Sequence, residues 1–302
     1  MQTAINYSRE AAALLRDGKI QVDVFKCPAW PDLVEEALEL APVYIHFPLN
    51  VARDLDSAID TETHEPVDWQ RVETLLARTD TPYVNLHFAP EASAYPDIPV
   101  DSTAPEHIER ITADAIRSVE AATQRFGPER VILENVPDAG NRTMRPALLP
   151  DVLGHVVEAT GCGFLLDISH ARIAADFLGI NDRAYINAMP VQRLHEIHVT
   201  GIHRMTGAML ERLRAAGVNG SGYERLVGRL VDHLPFTDDD WIFLDGCLDQ
   251  IKSGEWHAPW VVAFEYGGVG GLWELIGDQN VMARQLPRLY DAVRASAPLQ
   301  AG

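Results

Sequence analysis

Short apolar runs alternate with longer amphipathic stretches along the whole chain, and this alternation constrains the fold more than any other feature. Runs of this kind read as strands and the stretches between them as helices, the pattern of βα units that build a parallel sheet. The predicted strands are 3–7, 21–26, 43–48, 83–89, 130–136, 163–169, 194–200 and 260–266. Helical patterns fall at 31–40, 68–78, 105–126, 148–160 and 238–251, and 280–295 closes the chain; Thr103 is the expected cap of the third. Eight units of this kind predict an α/β fold, a (β/α)8 TIM barrel, over an open doubly wound sheet. No Gly-x-Gly-x-x-Gly follows the first strand, which counts further against dinucleotide binding. A single domain over residues 1–302 is expected, since barrels of this length form one unit and no linker or repeat divides the chain. Two long loops, 51–67 and 201–238, follow strands and so belong at the C-terminal mouth, where barrels keep their specificity.

Six of the strands end in a residue that can bind a metal ion. They read Tyr44-Ile-His46, Asn85-Leu-His87, Ile132-Leu-Glu134, Leu165-Leu-Asp167, Glu196-Ile-His198 and Ala263-Phe-Glu265. Side chains alternate along a strand, so each terminal residue shares a face with the one two before it. In a barrel that face is the interior, and the last inward position lies at the mouth. A core would put Val, Ile or Leu there. Three imidazoles and three carboxylates brought together would be very costly to desolvate unless cations compensate them. His170 and His233 offer two further imidazoles. Imidazole and carboxylate without thiolate suit zinc, iron or manganese, and ligand type alone does not choose among them. Lys26 ends the second strand on the inward face. It reads as a substrate-anion contact or proton carrier, or as the partner of Glu196 or another inward acid. His64, His107, His155, His195 and His257 fall on loops, helices or outward positions and carry no site. The run from Gly267 to Gly271 reads as a tight turn in preference to a phosphate loop.

Composition removes several alternatives. Cys27, Cys162 and Cys247 are far apart and form no C-x-x-C pair, against a disulfide framework or a thiolate site. Lysine occurs only at 19, 26 and 252, leaving few candidates for Schiff-base chemistry. Acidic groups outnumber basic ones 44 to 25, for a net charge of −19, and there is no Lys/Arg cluster to grip a phosphate backbone, so nucleic acid is not an expected partner. Neither a membrane-spanning apolar run nor a secretory start is apparent, and a cytoplasmic protein without membrane contact is expected.

The segments Val131-Ile-Leu-Glu-Asn135, Thr160-Gly-Cys-Gly-Phe-Leu-Leu-Asp167, Tyr185-Ile-Asn-Ala-Met-Pro190 and Leu194-His-Glu-Ile-His198 resemble the DUF692 family. Its members are also called multinuclear non-haem iron-dependent oxidases and lie within the xylose-isomerase-like barrel superfamily. Asp167-Ile-Ser-His170 is similar to the Asp-x-x-His of endonuclease IV in the same superfamily. The resemblance implies two or three divalent metal ions, with iron favoured. His46 and His87 would hold one ion, Glu134 would bridge it to a second held by Asp167, His198 and Glu265, and His170 and His233 would hold a third. It also implies oxidation of a side chain, often cysteine, of a ribosomally made peptide or of a small molecule, with a separate recognition protein delivering a peptide.

The chain departs from the family pattern at several points. Asp167-Ile-Ser-His170 stands where Asp-x-Asn-Asn is usual, and Ile5-Asn-Tyr-Ser8 replaces a Gly-rich opening. Adjacent Asp232-His233 replaces Asp-x-His and His203 comes one residue late after His198, which leaves open whether Asp232 or His203 is a ligand. Glu134 and Lys26 are the expected catalytic residues. Competing functions for the same ring are a sugar isomerase or epimerase using two divalent metals, and an endonuclease IV-like phosphodiesterase. Metal storage is disfavoured because a cluster at the mouth leaves coordination positions open.

Overall fold

The computed structural model describes residues 1–137, 142–215, 217–218, 223–270, 274 and 276–297. Strands, in chain order, are β1 (Gln2–Asn6), β2 (Val24–Pro28), β3 (Val43–His46), β4 (Leu49–Val51), β5 (Ala58–Asp60), β6 (Glu65–Pro66), β7 (Val84–His87), β8 (Val131–Glu134), β9 (Gly163–Asp167), β10 (Leu194–Val199), β11 (Gly201–Arg204), β12 (Leu230–Leu234) and β13 (Val261–Phe264). Helices are α1 (Arg9–Arg16), α2 (Pro31–Leu38), α3 (Trp69–Arg78), α4 (Pro105–Phe126), α5 (Pro150–Thr160), α6 (Ile168–Leu178), α7 (Asp182–Asn187), α8 (Gly207–Ala215), α9 (Asp238–Ser253) and α10 (Gln279–Ala295). Among the described residues, eight parallel strands run in the order β3-β2-β1-β13-β10-β9-β8-β7, the order of a (β/α)8 barrel.

The alternation read from sequence sorts side chains between two cores. Outward residues such as Phe25, Ile45, Leu86, Leu133, Leu166, Ile197 and Val262 pack under the helices. Inward residues Ala4, Val24, Tyr44, Val261 and Ala263 form a small separate cluster inside the barrel. Each large apolar side chain buried this way contributes about 1.5–3 kcal/mol.

The seam between β3 and β7 is closed largely by side chains. Thr81 Oγ1 accepts from the Ile45 amide at 2.8 Å. Asn85 accepts from the Phe47 amide at 2.7 Å and donates to the Phe47 carbonyl at 3.0 Å, so one side-chain amide replaces a step of ladder. Asn50 does the same for Ala89, and Asn135 for Asp167. Asn85→Leu is expected to strand both Phe47 backbone groups in a buried seam and destabilise the protein by about 2–5 kcal/mol. Denaturant unfolding of the variant measures it, and a loss well under 1 kcal/mol would show that another group closes the seam.

Several local expectations are corrected. The second strand runs later than predicted, beginning at Val24. The sixth stops at Asp167, because the Asp167 carboxylate accepts from the His170 amide at 2.7 Å and starts α6 at Ile168. Thr103 does not cap α4: its N-cap is Ala104, with no side-chain cap, and Ser102 Oγ accepts from the Ala104 amide instead. The two long loops carry regular structure. The first forms β5 and β6, with β5 antiparallel to both β4 and β6 on the sheet edge, and the second forms the antiparallel pair β11–β12 with α8 between them. Gly201 is required in this pair, since a Cβ there would lie 1.9 Å from the Pro235 carbonyl oxygen. No helix among the described residues is long and apolar enough to cross a membrane.

Candidate metal centre

Strand register places the ligand-type residues side by side. His87 lies opposite Glu134 across β7–β8, and His198 opposite Asp167 across β9–β10. Glu265 follows β13, with its amide bonded to the Val199 carbonyl at the end of β10. His170 enters from the first turn of α6, and His233 from β12. The barrel mouth therefore brings together all nine predicted site residues: Lys26, His46, His87, Glu134, Asp167, His170, His198, His233 and Glu265.

Glu134 is the hub. Its Oε2 is 3.5 Å from His46 Nε2 and 3.3 Å from His87 Nε2, and its Oε1 is 3.6 Å from both His170 Nδ1 and His198 Nδ1. Four groups of three could each hold an ion, their donor atoms within 4.8 Å of one another: His46–Glu134–His198, Asp167–His198–Glu265, Glu134–Asp167–His170 and His170–Asp232–His233.

Hydrogen bonds to acceptors decide which ring nitrogens remain as donors to a cation. His87 Nδ1 lies 2.7 Å from the Leu49 carbonyl, His170 Nδ1 3.1 Å from that of Asn135, and His233 Nδ1 2.8 Å from that of Glu265. A carbonyl only accepts, so each Nδ1 carries the proton, and in the neutral ring Nε2 holds the lone pair. The His46 and His87 Nε2 atoms face each other at 3.0 Å. Glu134 Oε2 and His198 Nδ1 are buried with no hydrogen-bond partner. A carboxylate oxygen and an imidazole nitrogen buried without a hydrogen bond are unfavourable unless a cation meets them, and the donor set therefore fits metal ions.

The electrostatics agree. Burial pushes Glu134 up, but His87, His198 and His46 more than reverse this and hold it well below the usual carboxylate range. Burial, then Lys26, drives His46 well below the ordinary imidazole value. Burial lowers His170 too, yet Asp167 and Asp232 outweigh it and raise the ring to about 10. Lys26 is lowered to about 8 by burial, against the pull of Glu134, Glu196 and Asp167. Its ammonium is paired with Glu265, so of the partners open to it from sequence the choice falls on another inward acid than Glu196.

Of the two residues left open by the sequence, Asp232 comes to the ring although it is adjacent to His233. Adjacent strand residues ordinarily face opposite ways, but His233 has a left-handed backbone (φ 57°), which breaks the alternation. Asp232 Oδ2 thereby comes within 3.1 Å of His170 Nε2. His203 turns away and bonds the Pro235 carbonyl. Gly267, Gly268 and Gly270 have positive φ, consistent with the expected turn; Gly271 lies outside the described residues. Above the ring opens a cavity of about 470 Å³, lined by Tyr7, Pro28, Trp30, Pro48, Glu62 and Val269 among others.

A family model described as "RiPP precursor modification enzyme MbnB/TglH/ChrH" matches residues 61–215, just over half of the chain. The chain belongs to this family. The matched span carries His87, Glu134, Asp167, His170 and His198; the other site residues of this family member lie outside it. A UPF0276 protein of Caulobacter vibrioides is 28% identical over 160 residues, 49% of this chain and 51% of the relative. The chain thus spans about half the length of the curated relatives it matches. Among solved structures, a xylose isomerase domain protein from Alicyclobacillus acidocaldarius superposes with a TM-score of 0.55 at 15% identity, covering 98% of each chain. A 3-keto-D-glucoside 4-epimerase from E. coli gives 0.53 at 14%, covering 98% of this chain and 99% of its own. Both show the fold, a xylose-isomerase-like TIM barrel.

Proposed function

We propose that the protein is an iron-dependent oxidase that modifies a side chain of a ribosomally made peptide. The observation that carries this reading is a cluster of convergent, tautomer-fixed imidazoles and carboxylates at the barrel mouth of a chain in a precursor-modifying family. His46, His87, Glu134, Asp167, His198 and Glu265 would hold a pair of ions, and His170, Asp232 and His233 a third. Iron, when bound, supplies the redox capacity for oxidising a substrate side chain with dioxygen.

The chain's own residues do the remaining work. Glu134 draws four histidines to one point. Lys26, 6% exposed beneath the cavity, keeps Glu265 compensated and offers N–H donors to an anionic group of the substrate. Trp30 stands at the rim with its indole Nε1 donating to Glu62 Oε1 at 2.6 Å, joining the β5–β6 turn to the loop after β2. With Tyr7, Pro28, Pro48 and Val269 it gives the cavity an apolar wall that limits water around the reacting group. A separate recognition protein that brings the peptide to this opening belongs to the same proposal.

Protein purified without oxygen is expected to carry more than one equivalent of metal, iron a major part, and to consume oxygen when reduced. Metal analysis with an oxygen electrode tests this. Stoichiometric zinc, with no oxygen uptake after iron reconstitution, would overturn the oxidase reading and leave the barrel untouched.

A further inference from the structure

Three of the mouth histidines have their orientation set by neutral backbone carbonyls, but His198 does not. Its Nε2 lies 2.7 Å from Oε1 of Glu196, one pleat deeper on the same inward face of β10. Both residues are buried, at 0% and 3% exposure. Glu196 belongs to none of the groups that could hold an ion. It lies at the level of Val261 and Leu165, its strand neighbours, where a barrel interior ordinarily carries an aliphatic side chain. A carboxylate there is costly to bury unless its partner repays the cost. Its 2.7 Å partner is the His198 ring, with the Tyr44 hydroxyl and the Lys26 ammonium also interacting with it. The other ring nitrogen, Nδ1, is buried without a hydrogen bond, 3.1 Å from Glu265 Oε1 and 3.6 Å from Glu134 Oε1.

We infer that Glu196 is a positioning residue that holds the proton of His198 on Nε2, so that this histidine, unlike His87, His170 and His233, enters the metal centre through Nδ1. The inference rests on the mouth being a metal centre. An ionised carboxylate accepts but does not donate, so it selects the Nε2–H tautomer as firmly as a carbonyl would. Its charge also makes the opposite nitrogen a stronger donor than a carbonyl-paired ring. The inverted tautomer follows from strand geometry. The other three rings find carbonyls in loops or neighbouring strand ends beside the mouth, whereas His198 stands over the barrel interior, where a side chain from its own strand reaches it from below.

Zinc(II) titration of metal-stripped protein, followed by two-bond 1H–15N correlation spectra of 15N-histidine-labelled protein, tests this. The zinc-loaded wild type is expected to show His198 with Nε2–H retained and Nδ1 at the shift of a metal-bound nitrogen. Glu196→Ala is expected to weaken zinc binding about 10–100-fold, with Glu196→Gln, which keeps an acceptor, recovering part of it. An Nδ1–H tautomer in a zinc-loaded wild type overturns the role of Glu196 while sparing the metal centre. Zinc affinity unchanged in a folded Glu196→Ala overturns it equally. A wild type that binds no zinc overturns both; if Glu196→Ala does not fold, the wild-type spectrum still decides.

Discussion

Glu134→Ala is expected to lose most of the bound metal and to lower activity by at least about 100-fold, while His170→Ala loses no more than one equivalent. Glu134 lies between 3.3 and 3.6 Å of four histidines, and its removal leaves two groups of ligands incomplete at once. It also deletes the negative charge between positions where cations would be close neighbours, which makes retention of a pair less favourable. His170 also belongs to two groups, one with Glu134 and Asp167 and one with Asp232 and His233, but its loss leaves both His46–Glu134–His198 and Asp167–His198–Glu265 complete. The barrel should survive both changes, because its stability resides in the packed interior and outer helical layer. Metal analysis with circular dichroism on the two variants checks this. Equal metal loss from both would show that Glu134 does not bridge and that the outer group is not separate.

Lys26→Met is expected to destabilise the metal-free protein by about 3–5 kcal/mol, and added metal should restore much of that loss. Lys26 and Glu265 are both nearly inaccessible, with side-chain exposures of 6% and 7%, so solvent screens the pair little. Removing the ammonium leaves Glu265 uncompensated beside Glu134 and Asp167. Methionine keeps the stem but supplies no charge, and a bound cation takes over the compensation, stabilising the variant more than the wild type. Denaturant unfolding of both proteins, stripped and zinc-loaded, measures the effect. A metal-free variant as stable as the wild type would mean that Glu265 is neutral in the stripped protein and that Lys26 serves only the substrate.

The barrel and most of the mouth were legible because both follow from local periodicity. A period of two puts Tyr44 and His46, or Glu196 and His198, on one face regardless of what surrounds them, and repetition over successive strands makes a ring. Boundaries were less legible where a single hydrogen bond overrides the pattern. Apolar Ile168 continues a strand by composition, but the Asp167 cap turns it into the first residue of a helix, and that turn delivers His170. Thr103 has the chemistry of a cap, and the backbone places Ala104 there instead.

Fold class and the identity of the inward strand-end residues follow from alternation and composition, which are properties of short segments. How those residues pair depends instead on the closed barrel. Lys26 meets Glu265, not Glu196, because strand order places β13 two positions from β2 with the small Ala4 and Ala263 between them and the interior. Asp232 joins the site because one left-handed residue in the β11–β12 insertion reverses the direction of a side chain. Which nitrogen each histidine presents depends on carbonyls of Leu49, Asn135 and Glu265, and on the Glu196 carboxylate. A carbonyl leaves no mark on residue type, so that part of the site is written in backbone position, which only the closed barrel fixes.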